Sequence, residues 1–205
     1  MDSQKPPEFI LDVFTDPRSV RDVVKGILHT IFFNRFFPSL TPQTHEVLDV
    51  TLPYVNDEEL QTMIEQGVSA LDRQLDAERL SNSGAPTNRD RINGAGSGGR
   101  GQITVQFFDQ KRRKPWPSLG VEEVCWETWT IKVTVAEPRT ENERAKVRRA
   151  MEQTLFTTAM KIVTFVNTHR DHIPPITTQG GNPFPYKINV ESKETGWLSR
   201  IRMYH

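Results

Sequence analysis

The sequence lacks the features on which disulfide-stapled, nucleic-acid-binding and membrane-spanning proteins depend. Cys125 is its one cysteine, so neither an internal disulfide nor a cysteine-based zinc cluster can form. Lysine plus arginine and aspartate plus glutamate number 26 each, which leaves no net charge to attract nucleic acid or an anionic membrane. No apolar run reaches membrane-spanning length, and the N-terminus has no secretory signal. These absences predict a cytosolic or nuclear protein.

Catalytic and cofactor-binding patterns are also missing. The segment Gly94–Gly99 matches the glycine spacing of dinucleotide sites, but those sites need a strand before and a helix after the glycines, and neither flank fits here. His169, Asp171 and His172 have no second ligand cluster, so we interpret them as the solvated end of a helix. Cys125 lies in a strand-like run, which indicates a buried, inert thiol. We therefore predict no catalytic residue, no metal and no cofactor.

Apolar periodicity predicts a chain of the α+β class. Apolar residues at three- and four-residue spacing predict three helices, which start at Asp16-Pro17, Asn56 and a Thr140–Glu143 capping box. Short apolar or alternating runs predict strands over residues 9–14, 45–54, 103–108, 126–135, 186–190 and 197–203. We expect 103–108 and 126–135 to pair antiparallel, with Trp126 and Trp129 on opposite faces. One domain over residues 1–205 accommodates this order.

Two segments are predicted to leave the regular framework. Residues 76–101 are polar and glycine-rich, with too few apolar side chains to offset the entropy of ordering, so we expect a flexible insertion. The connection 110–125 is longer than a usual hairpin loop, and long ordered loops tend to be functional. Within it, Pro115 and Pro117 restrict the backbone on both sides of Trp116, a residue type favoured as a binding anchor. We predict a protruding loop that presents Trp116 and Pro117 to a partner protein.

A basic cluster offers an alternative function for the same loop. Lys111–Lys114 is followed by Trp116, a combination that suits phosphate binding and base stacking. Four charges in a neutral chain more often form a solvated loop. Binding through Lys111–Lys114, as a HORMA-type or nucleic-acid-associated adaptor, is therefore the alternative to the Trp116 surface.

Several segments together resemble the HORMA-domain family of autophagy-related protein 101. The most specific segment is Trp126–Val133, in which two tryptophans, Glu127, Thr130 and Lys132 recur at the family spacing. The other resembling segments are Ile27–Thr30, Trp116-Pro117 and Tyr186–Ile188. The order of elements is similar along nearly the whole chain.

The resemblance implies a HORMA fold, in which a mixed or antiparallel sheet packs against three helices, in an open, unlatched form. It implies a non-enzymatic adaptor that forms a heterodimer with the HORMA domain of autophagy-related protein 13. That heterodimer belongs to the cytoplasmic autophagy-initiating kinase complex at the phagophore assembly site. The family's finger carries Trp-Pro-Phe and recruits downstream autophagy factors. Trp116 and Pro117 occupy its first two places, and because Ser118 stands in the third, Leu119 is the expected second apolar contact.

Overall fold

The computed structural model describes residues 5–38, 41–82, 99–112, 121–177 and 181–190. A layer of three helices covers one face of a four-stranded mixed sheet, and a two-stranded hairpin packs on the first helix. The helices are α1 (Val20–Arg35), α2 (Glu58–Asn82) and α3 (Glu141–Thr168). The strands are β1 (Glu8–Thr15), β2 (Gln43–Val47), β3 (Val50–Tyr54), β4 (Arg100–Arg112), β5 (Val121–Val135) and β6 (Tyr186–Val190). The prediction of an α+β chain with three helices is confirmed, and the predicted strand 197–203 lies outside the described residues.

The main sheet has the strand order β1-β5-β4-β6. β1 runs parallel to β5, whereas β4 lies antiparallel to β5 and to β6, which confirms the predicted antiparallel pair. Alternate side chains of each strand face the helices and are buried, among them Leu11, Val13, Ile103, Val105, Trp129, Ile131 and Val133. α1 lies in the middle of the helical layer, in contact with both α2 and α3. It contributes buried Val20, Val23, Val24, Ile27, Leu28, Ile31 and Phe32 to the core.

α1 begins at Val20, later than the predicted start at Asp16-Pro17. Residues 16–19 form a turn in which Oδ1 of Asp16 accepts a hydrogen bond from the backbone N–H of Ser19, 2.8 Å away. Ser19 is the residue that precedes the helix. The prediction was wrong because an aspartate that caps a turn and one that caps a helix leave the same sequence pattern.

The strand predicted over residues 45–54 is a hairpin instead. β2 and β3 pair antiparallel and are joined by Leu48 and Asp49, whose φ angles of 50° and 61° lie in the left-handed region. Positive φ at both positions is typical of a type I′ turn, which usually selects asparagine or glycine. The turn was missed because Leu48 continues the apolar alternation. Pro53 lacks an N–H and lies opposite Thr44, so this pair is not hydrogen-bonded and the Pro53 nitrogen lies on the outer edge of β3.

α3 starts at its predicted capping box, whereas the cap of α2 is Asp57 rather than the predicted Asn56. At the start of α2, Oδ1 of Asp57 accepts a hydrogen bond from the backbone N–H of Leu60, 2.8 Å away. At the start of α3, Thr140 and Glu143 form both hydrogen bonds of the predicted capping box. Local side-chain chemistry therefore fixes both helix starts.

The segment predicted as a flexible insertion, 76–101, has regular structure at both ends. The last turns of α2 lie within it, and Arg79 there forms an ion pair with Glu137 at 2.5 Å. The first residues of β4 also lie within it, where a Cβ on Gly101 would lie 2.7 Å from Cδ1 of Leu71. The prediction is wrong at these ends because the glycine permits close packing of strand on helix rather than motion. Residues 83–98 lie outside the described residues.

A β-bulge redirects Trp126. The register of the β4–β5 ladder shifts between Phe107 and Phe108, which leaves Trp126 as an extra residue in β5. Its ring packs 5.0 Å from the ring of Phe184 in the same core that buries Trp129. The prediction that the two tryptophans lie on opposite faces is wrong, because the bulge interrupts the alternation on which it rested.

The carboxylate of Glu127 is the centre of a buried polar cluster. Glu127 is fully buried, and Nε of Arg35, itself only 3% exposed, lies 2.8 Å from Oε1 and 3.0 Å from Oε2. The indole N–H of Trp129 donates to Oε1, and Nε2 of His172 lies 2.7 Å from Oε2. Arg35 also donates to the backbone carbonyl oxygen of His169, 3.3 Å away. The cluster thus joins the end of α1, the middle of β5 and the segment that follows α3.

This cluster corrects the interpretation of His169, Asp171 and His172 as a solvated helix end. His169 and Asp171 are exposed, but the side chain of His172 is only 20% exposed because it reaches the buried carboxylate. Its ring also packs 5.7 Å from the ring of Trp126. The partner of His172 lies 45 residues earlier, so local sequence gave no signal for the contact.

Replacing Glu127 with alanine is expected to destabilise the fold by about 3–5 kcal/mol, because it leaves Arg35 buried without its counter-charge. Glu123→Ala is the matched control, since Glu123 pairs with Lys187 on the surface and its loss should cost less than about 1 kcal/mol. Urea denaturation of both variants measures the two free energies of unfolding. Equal losses would show that the buried cluster contributes no more than a surface pair.

His29 is another buried polar residue, and it lies between α1 and the hairpin. It is 6% exposed, its ring lies 4.2 Å from that of Tyr54, and its Nδ1 accepts a hydrogen bond from the backbone N–H of Val55, 3.4 Å away. Burial, with smaller contributions from nearby His45 and Lys25, lowers the pKa of His29 from 6.5 to about 4. The folded chain therefore holds this imidazole in its neutral form at neutral pH.

A lowered histidine pKa makes the fold sensitive to acid. The unfolded chain binds this proton from about pH 6.5 downwards and the folded chain only near pH 4, so the stabilisation is complete above pH 6.5 and is lost as the pH falls towards 4. His29 should account for about 3 kcal/mol of the stability that the parent chain loses between pH 7 and pH 4. We expect His29→Asn to lose about that much less over the same range. His45→Asn, which removes only a smaller electrostatic contribution, should keep most of it. Urea titrations at both pH values test this, and an unchanged pH dependence in His29→Asn would contradict it.

Candidate partner-binding site

The β4–β5 hairpin continues beyond the rest of the main sheet. β1 pairs with β5 only from Thr128 onwards, and β6 pairs with β4 only up to Phe107. Beyond these points, and within the described residues, β4 and β5 pair only with each other, as far as Arg112 with Val121. The connection predicted to span 110–125 is therefore shorter, because residues 110–112 and 121–125 belong to the ladder. The result is a two-stranded arm with residues 113–120 at its end.

Contacts at the base of the arm hold it against the sheet. Nζ of Lys187, on β6, lies 2.6 Å from a carboxylate oxygen of Glu123 and 4.5 Å from the ring centre of Phe108. Next to these contacts are the bulge at Trp126 and the buried carboxylate of Glu127. The arm therefore starts beside the bulge and the buried polar cluster of β5.

The predicted finger residues lie at the end of this arm. Trp116, Pro117 and Leu119 belong to 113–120, outside the described residues, so their role stays a prediction. Of the basic cluster Lys111–Lys114, the backbone of Lys111 pairs with that of Glu122 in the ladder. An acidic residue therefore lies directly opposite the first basic position, which reduces the local positive charge on which the alternative of nucleic-acid binding depends.

α3 presents an exposed apolar row that sequence reasoning missed. Its inner face is formed by Met151, Leu155, Thr158, Ile162 and Val166, which are buried. On the opposite side Phe156, Met160 and Val163 are 58%, 49% and 40% exposed. They recur at four- and three-residue spacing, so they form one stripe. The signal was present in the sequence, since a helix with one buried face does not need a second apolar row.

Other chemistry finds no support in the described part of the chain. No group of three or more histidine, cysteine, aspartate or glutamate side chains is arranged there to hold a metal ion. Cys125 is half-buried rather than buried, and its Sγ lies 3.5 Å from the backbone oxygen of Glu127 and from Oγ1 of Thr128. Among the same residues, no helix has the length and apolar character needed to cross a bilayer. The arm and the outer face of α3 are thus the candidate surfaces, and both suit protein contacts.

Comparison with known proteins decides the family. A sequence model of the family described as autophagy-related protein 101 matches residues 12–180. The chain belongs to the autophagy-related protein 101 family. It is 29% identical to the family member of Xenopus tropicalis and 26% identical to that of Homo sapiens, each over 89% of this chain and 87% of the relative. It is 27% identical to the member of Schizosaccharomyces pombe, over 88% of this chain and 85% of the relative.

Membership of the autophagy-related protein 101 family confirms the resemblance found in the sequence and gives the chain a role in autophagy. The family is named for that process and not for an enzymatic activity. Its match covers α1, α2, α3, the hairpin and the whole β4–β5 arm. Both candidate surfaces therefore lie within the part of the chain that defines the family.

Proposed function

We propose that the chain is a non-enzymatic adaptor subunit of the autophagy-initiating kinase complex. In this proposal residues 1–205 form a single HORMA domain in its open, unlatched form. The domain forms a heterodimer with the HORMA domain of autophagy-related protein 13 and stabilises it. The heterodimer acts in the cytoplasm at the phagophore assembly site. The observation that carries the proposal is the family match over residues 12–180. The three helices on a mixed sheet are compatible with the HORMA fold.

The outer row of α3 supports heterodimerisation through this helix. Phe156, Met160 and Val163 together expose apolar surface that a chain working alone would bury or replace with polar residues. Aromatic residues and methionine are enriched at the centres of protein interfaces. Arg148, nearer the start of α3, forms an ion pair of 3.1 Å with Asp49 at the tip of the β2–β3 hairpin, so the tip borders the same helix. We assign α3, with this tip at its edge, as the surface that meets the partner domain.

The arm supports a second function, recruitment of downstream autophagy factors by Trp116 and Pro117, with Leu119 as the second apolar contact. The two strands continue beyond the rest of the main sheet, Lys187 pairs with Glu123 near their base, and they end at Arg112 and Val121, the residues that flank the connection 113–120. The two surfaces let one chain bind a constant partner and a recruited factor at the same time.

Phe156→Asp is expected to weaken the heterodimer at least about tenfold, because a carboxylate at the centre of an apolar interface loses its hydration without gaining a partner. Thr157→Asp introduces the same group at the next position, which is also exposed but lies outside the row, and should leave the affinity nearly unchanged. Calorimetric titration of each variant with the purified HORMA domain of autophagy-related protein 13 gives both affinities. Equal affinities of the two variants would remove α3 from the interface.

Trp116→Ala is expected to abolish recruitment of downstream factors and to reduce autophagosome formation, while the heterodimer still forms and melts at its usual temperature. Ser118→Phe, which supplies the residue found in the family's finger, should strengthen recruitment, whereas Ser118→Ala should not. Autophagosome counts in cells that carry each variant as their only copy, with co-purification of the partner as the control, measure these effects. Normal autophagosome formation with Trp116→Ala would refute the assignment of the finger.

A further inference from the structure

A cleft of about 270 Å³ lies between α1, α2 and the β2–β3 hairpin, and its lining shares no residue with the α3 row or the arm. Leu52 and Ile64 contribute apolar surface to it. The rings of His29, Tyr54 and His45 also line it, with ring centres 4.2 Å apart for the first pair and 6.1 Å apart for the second. A concave site with apolar walls and a few placed polar groups is the usual form of a ligand pocket.

His29 supplies a hydrogen-bond donor to this cleft. The ring is 6% exposed, and its Nδ1 is engaged as the acceptor of the Val55 N–H. The proton of the neutral ring therefore lies on Nε2, for which the described residues provide no acceptor. The cleft therefore suits a ligand that brings an acceptor, such as a peptide carbonyl oxygen, to this N–H.

The outer edge of β2 is open alongside the cleft. In a two-residue hairpin the pair that flanks the turn is hydrogen-bonded and the pairs then alternate, so Thr44 and Glu46 belong to pairs that are not hydrogen-bonded. Their N–H and C=O groups therefore point away from β3, and within the described ranges no other strand pairs with them. Residues 43–46 are all exposed. The outer edge of β3 instead carries Pro53, which cannot donate. The open edge is thus the one that carries His45, a lining residue of the cleft.

The charges at the rim indicate what a ligand should carry. Lys25 and Arg21 both pair with the carboxylate of Glu65, and Arg21 also lies 3.8 Å from a carboxylate oxygen of Asp72, so two carboxylates offset the two cations. Asp22 also lines the cleft, and it forms no ion pair with any residue for which the structure gives a position. A basic side chain is the complement of this carboxylate.

We propose that the cleft and the free edge of β2 together bind an extended peptide segment of a partner protein, in which a basic residue stands close to an apolar one. The peptide backbone pairs with the N–H and C=O groups of Thr44 and Glu46 as an added strand. An apolar side chain enters the cleft near Ile64, a carbonyl oxygen accepts from Nε2 of His29, and the basic side chain meets Asp22. The residues that line this cleft are distinct from those of the α3 row and of the arm.

A library of random seven-residue peptides displayed on phage is the probe, with the full chain as bait. The proposal expects enrichment of sequences that pair a lysine or arginine with an apolar residue. A synthetic peptide of the enriched sequence then gives dissociation constants by fluorescence anisotropy. Failure of any sequence to enrich above a bait-free selection overturns the proposal.

Two substitutions at one exposed position separate backbone pairing from side-chain contact. Thr44→Pro removes only an outward N–H and no hydrogen bond of the hairpin, and it should weaken the peptide about tenfold. Thr44→Ala keeps that N–H and should bind within about twofold of the parent chain.

Two further variants test the cleft. His29→Phe keeps an aromatic ring but not the donor, and it should weaken peptide binding about tenfold. Asp22→Asn should reduce the dependence of peptide binding on salt.

The outcomes are distinct from those of the proposed function. Thr44→Pro should still bind the HORMA domain of autophagy-related protein 13 with the affinity of the parent chain, which also shows that the variant is folded. If His29→Phe fails to fold, the two Thr44 variants alone test whether the peptide binds to the edge of β2. Equal binding of the peptide by Thr44→Pro and Thr44→Ala would overturn strand addition to β2, whatever the fate of the heterodimer.

Discussion

The buried ion pair between Arg35 and Glu127 is the constraint on which the arrangement of the molecule depends. Two opposite charges removed from water are stable only when every remaining lone pair and proton finds a partner. Trp129, His172 and the backbone oxygen of His169 complete that set. To satisfy it, the end of α1, the middle of β5 and the segment after α3 must meet at one point. The pair therefore specifies the tertiary arrangement even where its net contribution to stability is small.

The same point is where the β4–β5 arm leaves the sheet. The bulge at Trp126 immediately precedes Glu127, so the break in the ladder and the buried charge occupy neighbouring residues of β5. On one side of them β5 pairs with both β1 and β4, and on the other it pairs, among the described residues, with β4. Trp126 and Glu127 thus belong to the core and also mark the base of the arm.

Much of the framework was predictable because the signals that specify it are local. The apolar face of α1, the capping box of α3 and the alternation of β5 each depend on residues within one element. The failures occur where the decisive partner is distant or the residue type is unusual. Leu48 and Asp49 form a turn without the usual asparagine or glycine, and Gly101 serves close packing rather than flexibility. For the candidate site, the loop around Trp116 stays a prediction outside the described residues, and the sequence gave no account of the two-stranded arm or of the outer row on α3.

Pro53 has a consequence for assembly that reaches beyond the single molecule. A hairpin with two competent edges can accept a strand on one side and offer its other side to the next chain, which is how open-ended polymers of β-sheet grow. Here Pro53 removes one of the two outward N–H positions of β3, so that edge is the poorer template for an added strand. Strand addition is therefore favoured on the β2 side of the hairpin. An edge that is open on one side of a hairpin and interrupted on the other can stay exposed with less risk of seeding a fibre.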